Sequence, residues 1–316
     1  MTQLVQTLVD GLTVGSLYAL IALGYTMVYG ILKFINFAHS DIFALGVHMT
    51  IVVAGFLGIS GVVMSGAPPW YIGPIVLVLA MLVCGGVGLV IERFAYRPLR
   101  NAPRLNVLIT AIGVSLLLQN AGQLKFGNSP IPFGPYPKPT PELLPDTVLA
   151  SYQGVQISLV NVAVVGTALV LMLALQYLIY STKFGMAMRA VSFSPRNASL
   201  MGINVDRVIS ITFVIGSMLA AAAGFLYAMK YQGQAKQTAD SMWVMLGLKA
   251  FVAAVVGGIG NVRGAMLGGI LIGLIEFFGV AYVSSNYRDA YVFAILILVL
   301  LLRPEGVLGT ATVEKV

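Results

Sequence analysis

The residues of this chain that could do chemistry are few and lie within apolar sequence. Asn36, His39 and Asp41 stand together ahead of a long uncharged stretch, and Glu276 stands inside the apolar run Leu267–Val283. Ionisable groups at membrane depth are costly and usually face a cavity or the interior of a helix bundle. We therefore expect these side chains to line or gate a pathway. A helix cap would equally explain His39 and Asp41, and a bracing hydrogen bond to a neighbouring helix would equally explain Glu276.

Motifs for catalysis and for metal binding are absent from the sequence. There is no Gly-Lys dipeptide, so the phosphate-cradling G-x-x-x-x-G-K-[ST] loop is missing, and neither H-E-x-x-H nor G-x-S-x-G occurs. The single cysteine, Cys84, lies in an apolar run, which argues against a disulfide framework or a cysteine metal site. We predict that the chain is not an enzyme and holds no metal or cofactor. If ATP and Mg are used, other subunits bind them.

A glycine-rich segment is the second candidate for the pathway. It contains Gly257, Gly258, Gly260, Asn261 and Gly264. Small residues let helices approach closely and tolerate breaks in the backbone at membrane depth, and transporters commonly build solute sites from interrupted helices. We predict that these residues and Asn36–Asp41 line a sparse substrate pathway that has no strong charge pair to clamp the solute, with Glu276 bracing a helix.

Membrane-spanning helices must position these residues. Of 316 residues, 59% are hydrophobic and 9% are charged, whereas soluble domains carry about 25% charged residues. Nine candidate spans follow from the uncharged stretches: about 11–32, 34–59, a further crossing before 91, 105–123, 157–182, 208–229, 242–260, 264–283 and 290–302. We predict an all-α, polytopic inner-membrane bundle of about eight to ten spans, some broken or re-entrant, forming one domain over residues 1–316.

The basic residues indicate topology and not nucleic-acid binding. The formal charge of +7 comes from 18 basic and 11 acidic residues, and the bases cluster between apolar spans. Cytoplasmic loops carry the excess of Lys and Arg, which places the arginines of 93–104, the bases of 183–207 and the carboxyl terminus inside. Counting spans puts the amino terminus outside, but one re-entrant segment would reverse this result. The side on which the amino terminus lies therefore stays open.

Two connections stand out from the spans. Within about 183–207, Ser194 suits an N-cap, Pro195 the first helical position and Gly202 the residue after the end, which predicts a helix over Pro195–Met201. A capped helix here is typical of docking into a partner's groove; the alternative is a helix resting on anionic headgroups. The external connection, about 127–156, holds seven prolines, which predicts an extended, helix-free loop that serves either as a surface for an external partner or as a spacer.

Four segments together resemble the LivH-type permease of branched-chain amino acid ABC importers. They are Asn36-Phe-Ala-His-Ser-Asp41 with Leu45-Gly46, the loop from Gly185 through Arg189-Ala190 to Gly202-Ile203, Gly257-Gly-Ile-Gly-Asn261 with Gly264, and Arg303-Pro-Glu-Gly306. The family more often has Gly where this chain has Ser40. Relatives of this type also carry urea, short amides or other amino acids.

The resemblance implies a heteromeric importer of branched-chain, hydrophobic amino acids in the bacterial inner membrane. The implied partners are a LivM-like second permease, two cytoplasmic ATPase subunits that bind ATP and Mg, a periplasmic solute-binding protein and membrane lipid. It also implies that 183–207 couples to the ATPases through Lys183, Gly185, Arg189, Ser194, Pro195, Arg196, Ala198 and Gly202. Two other classes remain. An ion-coupled secondary transporter has only Glu276 in its support, and a channel or membrane scaffold would explain the hydrophobicity but not the capped loop at 183–207.

Overall fold

The computed structural model describes residues 2–58, 69–100, 102–121, 143–152, 154–231 and 242–309. Eleven α-helices occur in these ranges: α1 Thr2–Leu32, α2 His39–Phe56, α3 Ile72–Ile91, α4 Arg104–Ala121, α5 Leu159–Ser181, α6 Lys183–Phe193, α7 Pro195–Leu200, α8 Val205–Lys230, α9 Met242–Gly257, α10 Val262–Tyr282 and α11 Arg288–Leu302. A π-helical turn, Glu92–Tyr96, and a 3-10 turn, Arg97–Leu99, extend α3, and a second 3-10 turn, Ser285–Tyr287, precedes α11. Two antiparallel strands, β1 Val148–Tyr152 and β2 Val155–Ser158, form a hairpin.

Nine of these helices have the apolar character of membrane segments. Seven are long and apolar enough to cross a bilayer, and two shorter apolar helices correspond to α4 and α9. The expectation of an all-α, polytopic bundle with eight to ten spans is therefore confirmed, with the small hairpin as an addition. The outer helices expose broad apolar surfaces suited to lipid or to a membrane partner, including Leu82 and Val90 on α3, Val170 and Tyr177 on α5, and Leu298 and Leu301 on α11.

Small residues allow α1 to run through the middle of the bundle, almost entirely enclosed. Gly11 faces Leu274 of α10, and Gly15 faces Ile270, so the two helices are antiparallel. A Cβ added at Gly273 would overlap the backbone of Gly15. Lipid is as apolar as the surface of a membrane helix, so the hydrophobic effect does not drive helices together there. Helices in a bilayer associate instead through close van der Waals packing of this kind.

The two ends of the bundle carry different connections. Ser192 of α6 donates a hydrogen bond to the carbonyl of Gly30 (2.6 Å), which places the α6–α7 connection at the carboxyl end of α1. At the opposite end, the side chain of Gln6 accepts a hydrogen bond from the backbone of Gln156 in β2 (3.0 Å). The α6–α7 connection and the β1–β2 hairpin therefore lie at opposite ends of the bundle, with the amino terminus at the end of the hairpin.

A break in the helices follows α1. Lys33 has a positive φ of 56°, and residues 33–38 are not helical. The second helix then begins at His39, whose ring lies beside Gly24, eight residues before the end of α1. At 1.5 Å per residue, α2 therefore begins about 12 Å inside the end of α1. The span predicted over 34–59 accordingly begins with a non-helical segment, and its last residue lies outside the described ranges.

Both predicted connections contain more structure than expected. Within 127–156, residues 127–142 and 153 lie outside the described part of the chain, residues 143–147 are not helical, and the β1–β2 hairpin occupies the rest. Within 183–207, the predicted helix over Pro195–Met201 is present as α7, with Met201 as its C-cap. It is preceded by α6, which the cap pattern at Ser194 did not predict.

Candidate functional site

The first two polar residues of the predicted pathway face different neighbours. Asn36 is buried and accepts a hydrogen bond from the Tyr96 hydroxyl (2.5 Å) of the π-helical turn. The buried His39 ring lies edge-on to Tyr25, with centroids 4.7 Å apart, and fills the space left by the missing side chain of Gly24. The Nε2 atom of His39 has no hydrogen-bond partner. The break before α2 therefore brings both residues inside the bundle, but not into a single cluster.

Asp41 faces a third neighbour, α4. Its side chain is 4% exposed, and Oδ1 accepts a hydrogen bond from Nε2 of Gln119 (3.0 Å). The same amide nitrogen donates to the hydroxyl of Ser115 (3.1 Å), one turn earlier on α4. The other carboxylate oxygen, Oδ2, has no partner. Residues two apart on a helix are rotated by about 200°, so His39 and Asp41 cannot share one face.

The glycine-rich segment forms the turn between α9 and α10. Gly258 and Gly260 adopt positive φ values of 105° and 97°, which a residue with a side chain rarely adopts. Asn261 is the N-cap of α10, where its side chain accepts hydrogen bonds from the backbones of Arg263 (3.0 Å) and Gly264 (3.2 Å). These residues are therefore explained by a tight helical hairpin.

The carboxyl-terminal segment closes this turn. The backbone of Val307 donates to Val256 (2.8 Å), that of Leu308 donates to Gly257 (3.1 Å), and the Asn261 side chain donates to the carbonyl of Leu308 (2.7 Å). On α9, Gly247 packs against Ser40 of α2. Gly257 lies ten residues, or about 15 Å, further along α9. The structure therefore does not bring the two predicted pathway regions together.

Glu276 is the centre of a buried ion cluster. Its side chain is fully buried, Oε2 accepts from the Tyr18 hydroxyl (2.7 Å), and Oε1 pairs with Lys249 (3.0 Å) and with Arg288. Lys249 also pairs with Asp289 (2.5 Å). The cluster ties α1, α9, α10 and α11 together. Sequence reasoning missed these partners, although a lysine inside an apolar helix was a signal that a carboxylate lay near it.

A second charged cluster lies where α3 ends. Glu92 is buried and accepts hydrogen bonds from Arg100 and from Ser210 of α8 (2.6 Å). Arg100 also pairs with Asp206 (2.5 Å), to which Arg97 is bound as well. The sequence assigned the arginines of this loop to topology alone. In the structure they also fix the end of α3 to the start of α8.

The connection between α5 and α8 is built from capped helices. The hydroxyl of Thr182 caps α6 by accepting from the Gly185 backbone (3.1 Å), and that of Ser194 caps α7 by accepting from Asn197 (3.3 Å). Pro195 is the first residue of α7, and Gly202, with φ of 80°, follows its end. Ser194, Pro195 and Gly202 occupy the positions that the sequence predicted, whereas Thr182 and α6 were not predicted.

The exposed side of this connection is apolar and basic. Phe193, Leu200 and Met201 are 91%, 80% and 84% exposed, whereas Ala198 is buried beneath them. Lys183, Arg189 and Arg196 are also exposed. Two guanidinium groups lie over the ring of Tyr180, that of Arg189 at 5.6 Å and that of Arg263 at 5.0 Å from its centroid. We name Phe193, Leu200, Met201, Lys183 and Arg196 the coupling surface.

Comparison with known proteins identifies the family. Residues 7–302 match the family described as "Branched-chain amino acid transport system / permease component". The chain is 41% identical over 314 residues to the high-affinity branched-chain amino acid transport system permease protein BraD of Pseudomonas aeruginosa, covering 98% of this chain and 97% of the relative. It is 40% identical, with the same coverage, to LivH of Escherichia coli K12. A probable LivH of Methanocaldococcus jannaschii is 27% identical, covering 93% of this chain and 89% of the relative.

These relatives are transport permease components and not enzymes, which agrees with the absence of catalytic motifs from the sequence. They match along nearly their whole length, and the apolar helices described above provide the membrane-embedded part that such a component needs. The resemblance drawn from the four sequence segments is confirmed. This chain is a multi-pass protein of the bacterial inner membrane and belongs to the family of branched-chain amino acid transport permeases.

Proposed function

We propose that this chain is one permease subunit of an ABC importer and that it conducts branched-chain, hydrophobic amino acids across the inner membrane. The observation that carries the proposal is the identity of about two residues in five, over nearly the full length, to permeases named for this transport. The break before α2, which buries three polar side chains inside the bundle, supplies a structural reason for a pathway.

The whole chain, 1–316, acts as a single permease domain with three functional parts. Asn36, His39 and Asp41 belong to the pathway. The turn formed by Gly257, Gly258, Gly260, Asn261 and Gly264 holds the end of α9 close to the start of α10, since its glycines allow the positive φ values and the close backbone contact that a tight hairpin needs. Glu276 braces the helices around it.

The partners are other subunits of the importer. A LivM-like second permease and membrane lipid cover the apolar outer faces of the bundle, and two cytoplasmic ATPases supply the energy from ATP and Mg. A periplasmic solute-binding protein delivers the amino acid to the outer face of the complex. The external connection 127–156 serves either as a surface for that protein or as a spacer between α4 and α5.

The coupling surface is the site at which an ATPase docks. Its exposed aromatic and aliphatic side chains are rimmed by basic residues, a composition that fits an interface with a polar rim. Because α6 and α7 are both capped, α6 rests on α1, and α7 rests on α6 and α8, a movement of the docked ATPase would be passed to the bundle.

Reconstitution tests the proposal. The chain, its second permease, the ATPases and the binding protein are placed in proteoliposomes, and uptake of labelled leucine is measured with and without ATP. We expect uptake that requires both ATP and the binding protein. Uptake driven by an ion gradient in the absence of ATPases would contradict the proposal, and selective uptake of urea or short amides would contradict its substrate.

The docking site is tested by Leu200→Glu, with Leu149→Glu as the matched control. Leu149 is also exposed but lies on β1, at the opposite end of the bundle. We expect co-purification of the ATPases to fall about tenfold for Leu200→Glu, as for one interface hot spot, and to be unchanged for Leu149→Glu. Arg189→Glu should uncouple ATP hydrolysis from transport more than it reduces insertion. Normal coupling in that variant would leave Arg189 a topology residue.

A further inference from the structure

Asp41 has an incomplete set of partners. One carboxylate oxygen accepts from Gln119 and the other accepts nothing, although the side chain is almost fully buried. No Lys or Arg pairs with Asp41 in the part of the chain that the structure describes. The other two buried carboxylates, Glu92 and Glu276, have hydrogen-bond donors on both oxygens, including at least one cation each. Asp41 is therefore the exception among them.

The Oδ2 atom of Asp41 is unfavourable in free energy unless a hydrogen-bond donor reaches it. Leaving a buried polar atom unpaired costs about 1–3 kcal/mol, and more for a charged group. Asp41 stands two residues after the start of α2, which begins about 12 Å inside the end of α1. Its side chain is only 4% exposed, so bulk water does not reach the unpaired oxygen.

Among the described residues, the neighbours of Asp41 provide a hydroxyl and an amide group but no cation. Ser115 and Gln119 lie one turn apart on α4 and face α2, whereas Leu116 and Leu117 on the same helix are exposed. The interface between α2 and α4 is therefore the polar side of α4. A positively charged group that donates hydrogen bonds is the chemical complement of this site.

We propose that Asp41 receives the ammonium group of the amino acid as it passes between α2 and α4. This inference rests on the proposed function, because it is the amino acid cargo that brings an ammonium group into the membrane. The free Oδ2 accepts one N–H of the ammonium, while Gln119 holds Oδ1 and so fixes the orientation of the carboxylate. A single charged contact gives a weak site, which suits a residue that must release the solute.

The test compares three variants of the reconstituted importer. Asp41→Asn removes the charge, Asp41→Glu restores it, and Asp10→Asn is the matched control, since Asp10 is a partly buried carboxylate paired with Lys230 at the outer end. The readouts are the maximal rate of leucine uptake, the half-saturating concentration of loaded binding protein, and ATP hydrolysis.

For Asp41→Asn we expect the maximal rate of uptake to fall about tenfold or more, because one charge-assisted hydrogen bond to the ammonium group is lost. Assembly of the complex, the half-saturating concentration of binding protein and ATP hydrolysis should be unchanged. Asp41→Glu should recover most of the rate, and Asp10→Asn should match the wild type. Equal uptake by Asp41→Asn and wild type would overturn the proposal. It would mean that transport needs no negative charge at position 41, since an amide can replace only an uncharged carboxyl group without loss.

Two further outcomes are separated by design. If the wild-type complex does not import leucine, the proposed function fails, whatever the variants do. If Asp41→Asn does not assemble, Gln119→Leu decides, since it keeps the carboxylate but removes the donor to Oδ1. We expect it to assemble and to lower the maximal rate by about tenfold, the value of a hydrogen bond to a charged group. An unchanged rate would contradict the proposal.

Discussion

Glu276 and Asp41 are both buried carboxylates in the membrane part of this chain, and their surroundings are opposite. Glu276 of α10 is held by a tyrosine hydroxyl and two cationic side chains, which come from three other helices, α1, α9 and α11. Asp41 is held by one amide, and its second oxygen is free. A complete set of partners fixes a helix in place, whereas an incomplete set leaves capacity for a ligand. We therefore assign structure to the first carboxylate and transport to the second.

The largest expected effect comes from Glu276→Ala. It leaves Lys249 and Arg288 without their shared carboxylate, and breaking a buried ion pair by removing one partner costs about 3–5 kcal/mol. Thermal unfolding of the detergent-solubilised complex measures it, with Asp41→Ala as the comparison. Asp41→Ala should leave stability nearly unchanged, since little is lost where little was bound. Equal destabilisation by both variants would remove the contrast.

Gly273→Val tests the close packing of α1 against α10 and compares it with the open surface of α4. The added side chain would overlap the backbone of Gly15, so α1 and α10 must move apart. Overpacking of this kind typically costs about 1–3 kcal/mol. Gly113→Val on α4 is the control, because a Cβ there meets nothing within 4 Å. The yield of folded, monodisperse protein should fall only for Gly273→Val; a similar fall for Gly113→Val would mean that α4 is packed by other parts of the chain.

Glu276→Gln separates bracing from binding. The amide oxygen can still accept from Lys249, the amide NH2 can donate to the Tyr18 hydroxyl oxygen, and Lys249 keeps its pair with Asp289, so a brace loses only part of its strength. We expect a lower melting temperature but most of the leucine uptake per assembled complex. Near-complete loss of uptake in a normally assembled complex would move Glu276 into the solute site and blur its distinction from Asp41.

The smallest expected effect is that of Asp206→Asn. Its carboxylate is 47% exposed and pairs with Arg97 and Arg100 at the surface, where an ion pair contributes about 0–1 kcal/mol. Glu92→Gln, which changes the buried partner of Arg100, should lower the melting temperature more. A larger loss from Asp206→Asn would show that surface charges, and not buried ones, hold the end of α3.

Local signals predicted the elements whose structure depends on their own neighbours in the chain. The cap residues Ser194 and Pro195 and the terminal Gly202 predicted α7, because a helix end is satisfied by side chains only a few residues away. The uncharged stretches predicted the membrane helices, because the thickness of the bilayer sets their length. The second helix of the coupling connection, α6, was missed because its cap, Thr182, directly follows a membrane span.

Signals that depend on distant residues were weaker. The glycines at 257, 258, 260 and 264 predicted a break in the helices, and a break is present, but it is closed by residues about fifty positions further on. The lysine at 249 lies inside an apolar helix, and only the folded chain places Glu276 of α10 and Asp289 of α11 beside it. The proximity of such residues has no local signature in the sequence.

The sequence by itself determined that the chain spans the membrane many times, which end carries the basic residues, and which polar residues are buried at a cost, because these follow from the composition and order of short segments. The tertiary structure alone decided which buried carboxylate is satisfied. Asn36, His39 and Asp41 are near neighbours in the sequence, yet they face the π-helical turn, α1 and α4 in turn. Helical rotation separates neighbours in the chain, and packing of distant helices supplies or withholds each hydrogen-bond partner.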